Sequence, residues 1–107
     1  MNEARIKMLE QYISEEPNDP FNHYALACEY LSSDESKALL LLKEVAGNFP
    51  EYLPTYYHLA QTLIEFEEEE EALQIFEKGI ALATEQNNEK ALKELKSAHQ
   101  NLLFEMD

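Results

Sequence analysis

The sequence contains only two glycines and four prolines in 107 residues. All-β sandwiches and barrels need many turn residues between short strands, so this scarcity excludes them. Leu, Ala, Glu and Lys are abundant instead, and these residues favour helices. A disordered chain is not expected, because disordered segments lack the 45% of hydrophobic residues found here. The length fits one domain, residues 1–107, with enough apolar material for a core.

Basic residues are also few. The chain has 8 Lys and Arg against 22 Asp and Glu, which gives a formal net charge of −14. Such a surface repels phosphate backbones and anionic lipids, so we expect no nucleic-acid partner and no membrane partner. A basic protein, or a neutral peptide held in an apolar groove, remains a possible partner. The longest apolar run, residues 38–42, is far shorter than the roughly 20 residues of a membrane span.

Groups that could support catalysis or bind metal are scarce and scattered. Cys28 is the only cysteine, so no intrachain disulfide can form, and it has no histidine three or four positions away that could activate it. The three histidines, at positions 23, 58 and 99, form no metal-binding spacing. We therefore expect no metal, no cofactor and no enzymatic activity. One cysteine and an N-terminus without an apolar stretch indicate a cytoplasmic protein.

Apolar residues recur every three or four positions along most of the chain, which predicts about six helices. We expect these helices over residues 2–16, 20–32, 35–48, 53–65, 68–84 and 89–104. Asp19 should cap the second helix, with Pro20 in its first turn, and Ser33 or Asp34 should cap the third. Because the links are short, neighbouring helices should be antiparallel.

Self-comparison reveals an internal repeat. The segment 24–31 recurs 33 residues later, and the segment 38–45 recurs 34 residues later. Pro17 and Pro50 are also 33 residues apart. A period in this range is typical of stacked helical hairpins, each of which needs its neighbours to bury both faces.

The repeated pattern resembles the tetratricopeptide repeat, in which an aromatic residue, a Leu-small pair and a large residue precede Ala-x-x-x-aromatic in the next helix. The second unit matches nearly throughout, with Tyr56, Leu59, Ala60, Leu63, Ala72, Phe76 and Gly79. The first unit has His23, Leu26, Ala27, Tyr30, Ala38, Leu42, Val45 and Pro50. It departs from the pattern at His23 and Leu42, where the family has aromatic residues. Thr84 stands where the second unit's closing proline would fall.

The resemblance implies an all-α fold of antiparallel helical hairpins, stacked as a short right-handed solenoid. We expect one domain, 1–107, made of an N-terminal half-repeat helix (1–19), a first repeat (20–52), a second repeat (53–86) and a C-terminal capping helix (87–107). In this family the leading helices line a concave surface that binds extended peptides. The resemblance therefore implies a non-enzymatic adaptor whose partner is a protein or peptide.

Each leading helix carries a second stripe beside its core stripe, at the spacing i, i+4, i+7. The candidate groove residues are Phe21, Tyr24, Cys28, Leu31, Pro54, Tyr57, Gln61 and Ile64. Tyrosine rings offer contact area at low entropy cost, and Gln61 can pair with a backbone amide. The alternative is that the stripe is core, covered by the C-terminal helix. The family's carboxylate clamp for chaperone tails is not expected, because these positions contain no cation.

Two further features leave alternatives open. Leu40 falls opposite Gln74 in the repeat and should face outward, as a homodimer contact or as an ordinary exposed leucine. The run Glu67–Glu71 splays around a helix start, so it is a poor calcium site and a favourable match to the helix dipole. It is a solvated face or a docking surface for a basic protein. A homo-oligomerising structural protein and an acidic docking protein are therefore the alternative functions.

Overall fold

The computed structural model describes residues 2–107, and all regular structure within that range is helical. The helices are α1 (Glu3–Glu15), α2 (Pro20–Glu29), α3 (Glu35–Asn48), α4 (Pro54–Glu65), α5 (Glu69–Glu85) and α6 (Glu89–Met106). The prediction of six helices in an all-α fold is confirmed. None of these helices has an apolar stretch long enough to cross a lipid bilayer within the described range.

Side-chain caps define where the helices begin. The Asp19 carboxylate accepts a hydrogen bond from the Phe21 backbone N–H at 3.0 Å, with Pro20 at the first helical position. Asp34 accepts one from the Lys37 N–H at 3.1 Å at the start of α3. Both predicted caps are thus confirmed. Such caps satisfy N–H groups that have no partner inside the helix.

The second helix ends earlier than the sequence predicts. A helix was expected over residues 20–32, but α2 ends at Glu29 and a 3₁₀ turn, Tyr30–Ser32, follows it. The Tyr30 carbonyl accepts hydrogen bonds from the N–H groups of Ser33 and Asp34, at 3.1 and 2.8 Å. Tightening the last turn in this way satisfies carbonyls at the helix end while the chain reverses into α3.

The chain divides into two compact units, the first ending at Thr55 and the second beginning at Tyr56. In the first unit, α2 packs against both α1 and α3. The buried apolar residues of these three helices are Ile6, Leu9, Ala25, Ala27, Ala38, Leu42 and Val45. Ala27 and Ala38 have no exposed surface, and their small side chains let α2 and α3 approach closely.

In the second unit, α5 contacts both α4 and α6. Its Gly79 makes this possible, since a β-carbon there would lie 3.0 Å from Tyr56 Cβ and 3.2 Å from Leu95 Cδ1. The loops 66–68 and 86–88 are short, so α4 and α6 each run antiparallel to α5 and therefore parallel to each other. The buried core residues of this unit include Tyr56, Leu59, Leu63, Ile75, Phe76, Leu95 and Leu102.

The two loops of the second unit share one backbone conformation. Glu67 and Asn87 have φ values of 60° and 56°, in the left-handed region. After Glu67, the N–H of Glu68 donates to the Leu63 carbonyl at 2.9 Å, which closes the end of α4 as a Schellman motif. Glycine is the residue best suited to this conformation, and asparagine tolerates it. Glu67 therefore occupies a strained position.

Replacing Glu67 with glycine should stabilise the protein by about 0.5–1 kcal/mol, because glycine adopts a positive φ without steric cost. The free energy of unfolding, measured in urea for the wild type and the variant, tests this. Gln74→Gly is the control, since it places glycine at an exposed position inside α5. This control substitution should lower the free energy of unfolding by about 1 kcal/mol. Equal destabilisation by both substitutions would contradict the assigned loop conformation.

Candidate functional site

The predicted groove residues of the first unit differ in exposure. Phe21 and Pro54 are exposed, whereas Tyr24, Cys28 and Leu31 are half-buried. Residues 21–31 of this set lie on α2, or on the 3₁₀ turn that follows it. None of these side chains is fully buried, so the stripe is not an ordinary core face.

Tyr24 lies at the centre of a small cluster in this unit. Its ring packs against that of Tyr52 with centroids 5.5 Å apart and planes tilted by 60°. Its hydroxyl shares a side-chain hydrogen bond with Cys28. These contacts hold the Tyr24 side chain against the loop that follows α3.

Burial also determines the chemistry of this cluster. It raises the pKa of the Cys28 thiol, and the hydrogen bond from Tyr24 opposes that rise only in part. Burial likewise raises the pKa of the Tyr24 hydroxyl above its usual value, and the nearby Cys28 adds to the effect. A thiol with a raised pKa stays protonated near neutral pH and is a poor nucleophile. Cys28 is therefore a half-buried thiol that is not activated as a nucleophile.

The predicted residues of the second unit line a cleft. Tyr57 is 39% exposed, and Gln61 and Ile64 are half-buried along the same side of α4. Together with α6 they line an open space of about 690 Å³, which we call the α4–α6 cleft. From α4 its lining comprises Tyr57, Gln61, Ile64 and Glu65, and from α6 it comprises Lys93, Glu94, Ser97, Ala98, Asn101, Leu102 and Glu105.

The contacts of Gly79 fix how α4 and α6 align along the cleft. Tyr56 and Leu95 both meet Gly79 and therefore lie at the same level. Gln61 is five residues beyond Tyr56, and Asn101 is six beyond Leu95, in parallel helices. At 1.5 Å per residue these rises are about 8 and 9 Å, so the two amide side chains lie at nearly the same level.

The same count places two carboxylates at one end of the cleft. Glu65 is nine residues beyond Tyr56, and Glu105 is ten residues beyond Leu95. They therefore lie about 14 and 15 Å further along their helices than the two residues that contact Gly79. Lys93 lies two residues before Leu95, and Tyr57 one residue after Tyr56. The only basic residue in the lining thus lies at the end opposite these two carboxylates, beside Glu94, which also lines the cleft.

The carboxylate end of the cleft has no basic partner among residues 2–107. Glu65 is the last residue of α4 and Glu105 lies in the last turn of α6, where helix carbonyls already contribute partial negative charge. Neither last turn contains a basic residue. Within residues 2–107, neither carboxylate forms an ion pair. The two carboxylates at this end of the cleft are therefore not paired with a basic side chain of the described chain.

Sequence reasoning missed the wall that α6 contributes, because it treated residues 87–107 as a capping helix. Lys93, Ser97, Asn101 and Glu105 are spaced four residues apart, so they lie on one face of α6. That spacing was a usable signal, although a polar helix face is equally typical of a solvated surface.

The remaining candidates lie outside the cleft. Leu40 on α3 faces outward with 58% of its surface exposed, as expected, and its role in a homodimer stays a prediction. Glu69, Glu70 and Glu71 occupy the first turn of α5, where their charge suits the helix dipole. Across residues 2–107, no group of three or more His, Cys, Asp or Glu side chains is placed to hold a metal ion.

Comparison with known proteins gives a clear result for structures only. The sequence matches no protein-family model and no curated protein. The solution structure of a tetratricopeptide repeat domain protein from Salinibacter ruber is 38% identical, covers 81% of this chain and 89% of that chain, and has a TM-score of 0.76. A crystal structure of a tetratricopeptide repeat domain protein from the same organism is 36% identical, with coverages of 78% and 96% and a TM-score of 0.76.

A more distant structure shares the fold. The TPR2B domain of yeast Sti1, solved as a complex with pHsp70, is 17% identical and has a TM-score of 0.83. The alignment covers 94% of this chain and 81% of that one. At this identity the likeness concerns the fold alone, whereas the Salinibacter ruber structures are similar in both sequence and fold.

Proposed function

Because the chain belongs to the tetratricopeptide repeat family, we propose that it is a non-enzymatic interaction module that binds an extended peptide or protein segment in the α4–α6 cleft. The cleft is the observation that carries this proposal, since its volume of about 690 Å³ falls in the range of ligand sites. The Sti1 domain, solved with pHsp70, supports a protein or peptide as the class of partner.

The lining of the cleft suits an extended segment. From Lys93 to Glu105 it follows α6 for about 18 Å, at 1.5 Å per residue. At about 3.4 Å per residue, a segment of five or six residues fills that length. The amides of Gln61 and Asn101 lie about two-thirds of the way from Lys93 to Glu105, where each can donate to and accept from a passing backbone. The Tyr57 ring provides an anchor of large contact area.

The groove residues predicted in the first unit stay a prediction. They are Phe21, Tyr24, Cys28, Leu31 and Pro54. Their partial exposure is compatible with binding.

The double substitution Tyr57→Ala, Gln61→Ala should weaken peptide binding by about 30-fold or more, because it removes an aromatic anchor and a backbone-pairing amide. Octapeptides selected from a random display library on the wild-type protein serve as ligands, and fluorescence anisotropy measures their affinity. Circular dichroism of the variant should stay helical, since neither residue is part of the buried core.

The matched control is Tyr12→Ala, Gln74→Ala. Tyr12 is 42% exposed and Tyr57 is 39% exposed, but Tyr12 lies on α1 and Gln74 is exposed on α5. The control should bind as the wild type does. If the wild type retains no peptide, the proposed function is wrong. A dimer seen by light scattering and abolished by Leu40→Ser would then favour self-assembly.

A further inference from the structure

The two ends of the α4–α6 cleft differ in charge, and that difference indicates what the bound segment carries. Lys93, Glu94 and Tyr57 lie at one end, where the two charges offset each other, and Glu65 and Glu105 lie at the other. We infer that the segment bound in the cleft places a Lys or Arg side chain at the Glu65–Glu105 end. This inference rests on the proposed function and specifies the chemistry of the partner.

Negative charge is concentrated at this end of the cleft. Glu65 and Glu105 both border it, and each lies at the end of a helix where the backbone adds partial negative charge. None of the described helices has Lys or Arg in its last turn. At α4 and α6, however, the carboxylates of two such helix ends border one cleft. A cationic group of a partner would interact favourably with both carboxylates.

The rest of the lining distinguishes a polypeptide from a small cation. Ile64 and Ala98 give the cleft an apolar component, and the two amides lie between its ends. A small cation would occupy the carboxylate end only and leave these groups unused. A peptide with a basic residue beside neutral ones would contact all three kinds of surface.

A second copy of the chain fits the cleft less well. Its net charge of −14 would bring a surface of the same sign against the carboxylates. Charge complementarity therefore favours a partner segment that is itself basic.

Charge reversal tests the inference. Peptides selected from the random octapeptide library on the wild type should be enriched several-fold in Lys and Arg over the unselected library. The double variant Glu65→Lys, Glu105→Lys should bind those peptides at least about tenfold more weakly, because attraction becomes repulsion. Selection on this variant should enrich Asp and Glu instead. Raising the NaCl concentration from 0.05 to 0.5 M should weaken wild-type binding.

The matched control is Glu70→Lys, Glu85→Lys, which alters two exposed residues of α5 outside the cleft and changes the net charge by the same amount. It should select the same basic peptides as the wild type. Peptides that bind with no enrichment of Lys or Arg would overturn the inference and leave the proposed function intact. An equal loss of binding in the control would also overturn it, since the overall field would then be the cause.

A competition experiment separates a peptide from a small cation. Spermine should displace a selected basic peptide only at concentrations far above the dissociation constant of that peptide. Displacement at equal or lower concentration would show that the carboxylate end takes free polycations, and the inference of a basic segment would be wrong.

Discussion

Replacing Phe76 with alanine should lower the free energy of unfolding by about 3–5 kcal/mol. Phe76 has no exposed surface, and its ring meets that of His99 edge-on with centroids 6.2 Å apart. Truncation loses the transfer free energy of the ring and leaves a cavity that the helices can fill only in part. Urea unfolding followed by circular dichroism measures the change.

Phe104→Ala is the control for this substitution. Phe104 lies in the same unit, on α6, but 71% of its surface is exposed. The same loss of a ring should therefore change the free energy of unfolding by about 0.5 kcal/mol or less. Similar losses at both positions would contradict the assignment of Phe76 to the core.

The substitution Gly79→Leu should cost about 2–3 kcal/mol, although leucine is the better helix former. Its first side-chain atom alone would lie 3.0 Å from Tyr56 Cβ, which cannot move without its backbone. The larger side chain would push α5 away from α4 or α6. The free energy of unfolding in urea measures this cost, and the loss should exceed any gain in helix propensity.

Gly47→Leu provides the opposite result from the same chemical change. Gly47 is exposed on α3, and no atom lies within 4 Å of the position its β-carbon would take. The substitution there changes only the helix propensity, so the free energy of unfolding should rise by about 0.5–1 kcal/mol. Stabilisation by both substitutions would show that Gly79 is not a point of close helix contact.

The fold could be predicted because its signals are local and repeated. Spacing of apolar residues located all six helices, and the repeat placed Ala27, Ala38 and Phe76 at buried positions. Small residues on otherwise bulky faces indicated close helix contacts, as seen at Gly79. The aspartates that cap α2 and α3 were predictable because capping depends on neighbouring backbone N–H groups alone.

The parts that were not predicted depend on contacts distant in sequence. The 3₁₀ turn after Glu29 arises from how the chain reverses into α3, and helix periodicity contains no information on that. The α6 wall of the cleft requires α5 to hold α4 and α6 in parallel. From sequence alone, Lys93, Ser97 and Asn101 have the pattern of a solvated helix face. Only their position opposite Gln61 indicates another role.

From the sequence we could predict a repeat protein with an interaction surface, but not what that surface binds. Repeat folds provide a surface, and the side chains on it determine the ligand. The position of Glu65 and Glu105 at one end of the cleft is the structural information from which we infer a basic partner segment. Sequence showed both carboxylates but could not show that they share a site.

The measurement that tests the central claim most directly is a ¹H–¹⁵N correlation titration of the full chain with a basic octapeptide selected on it. We expect the perturbed backbone amides to lie in residues 57–65 of α4 and 93–105 of α6, and the side-chain NH₂ groups of Gln61 and Asn101 to be perturbed as well. Perturbations confined to residues outside those two segments would contradict the claim that the α4–α6 cleft is the binding site.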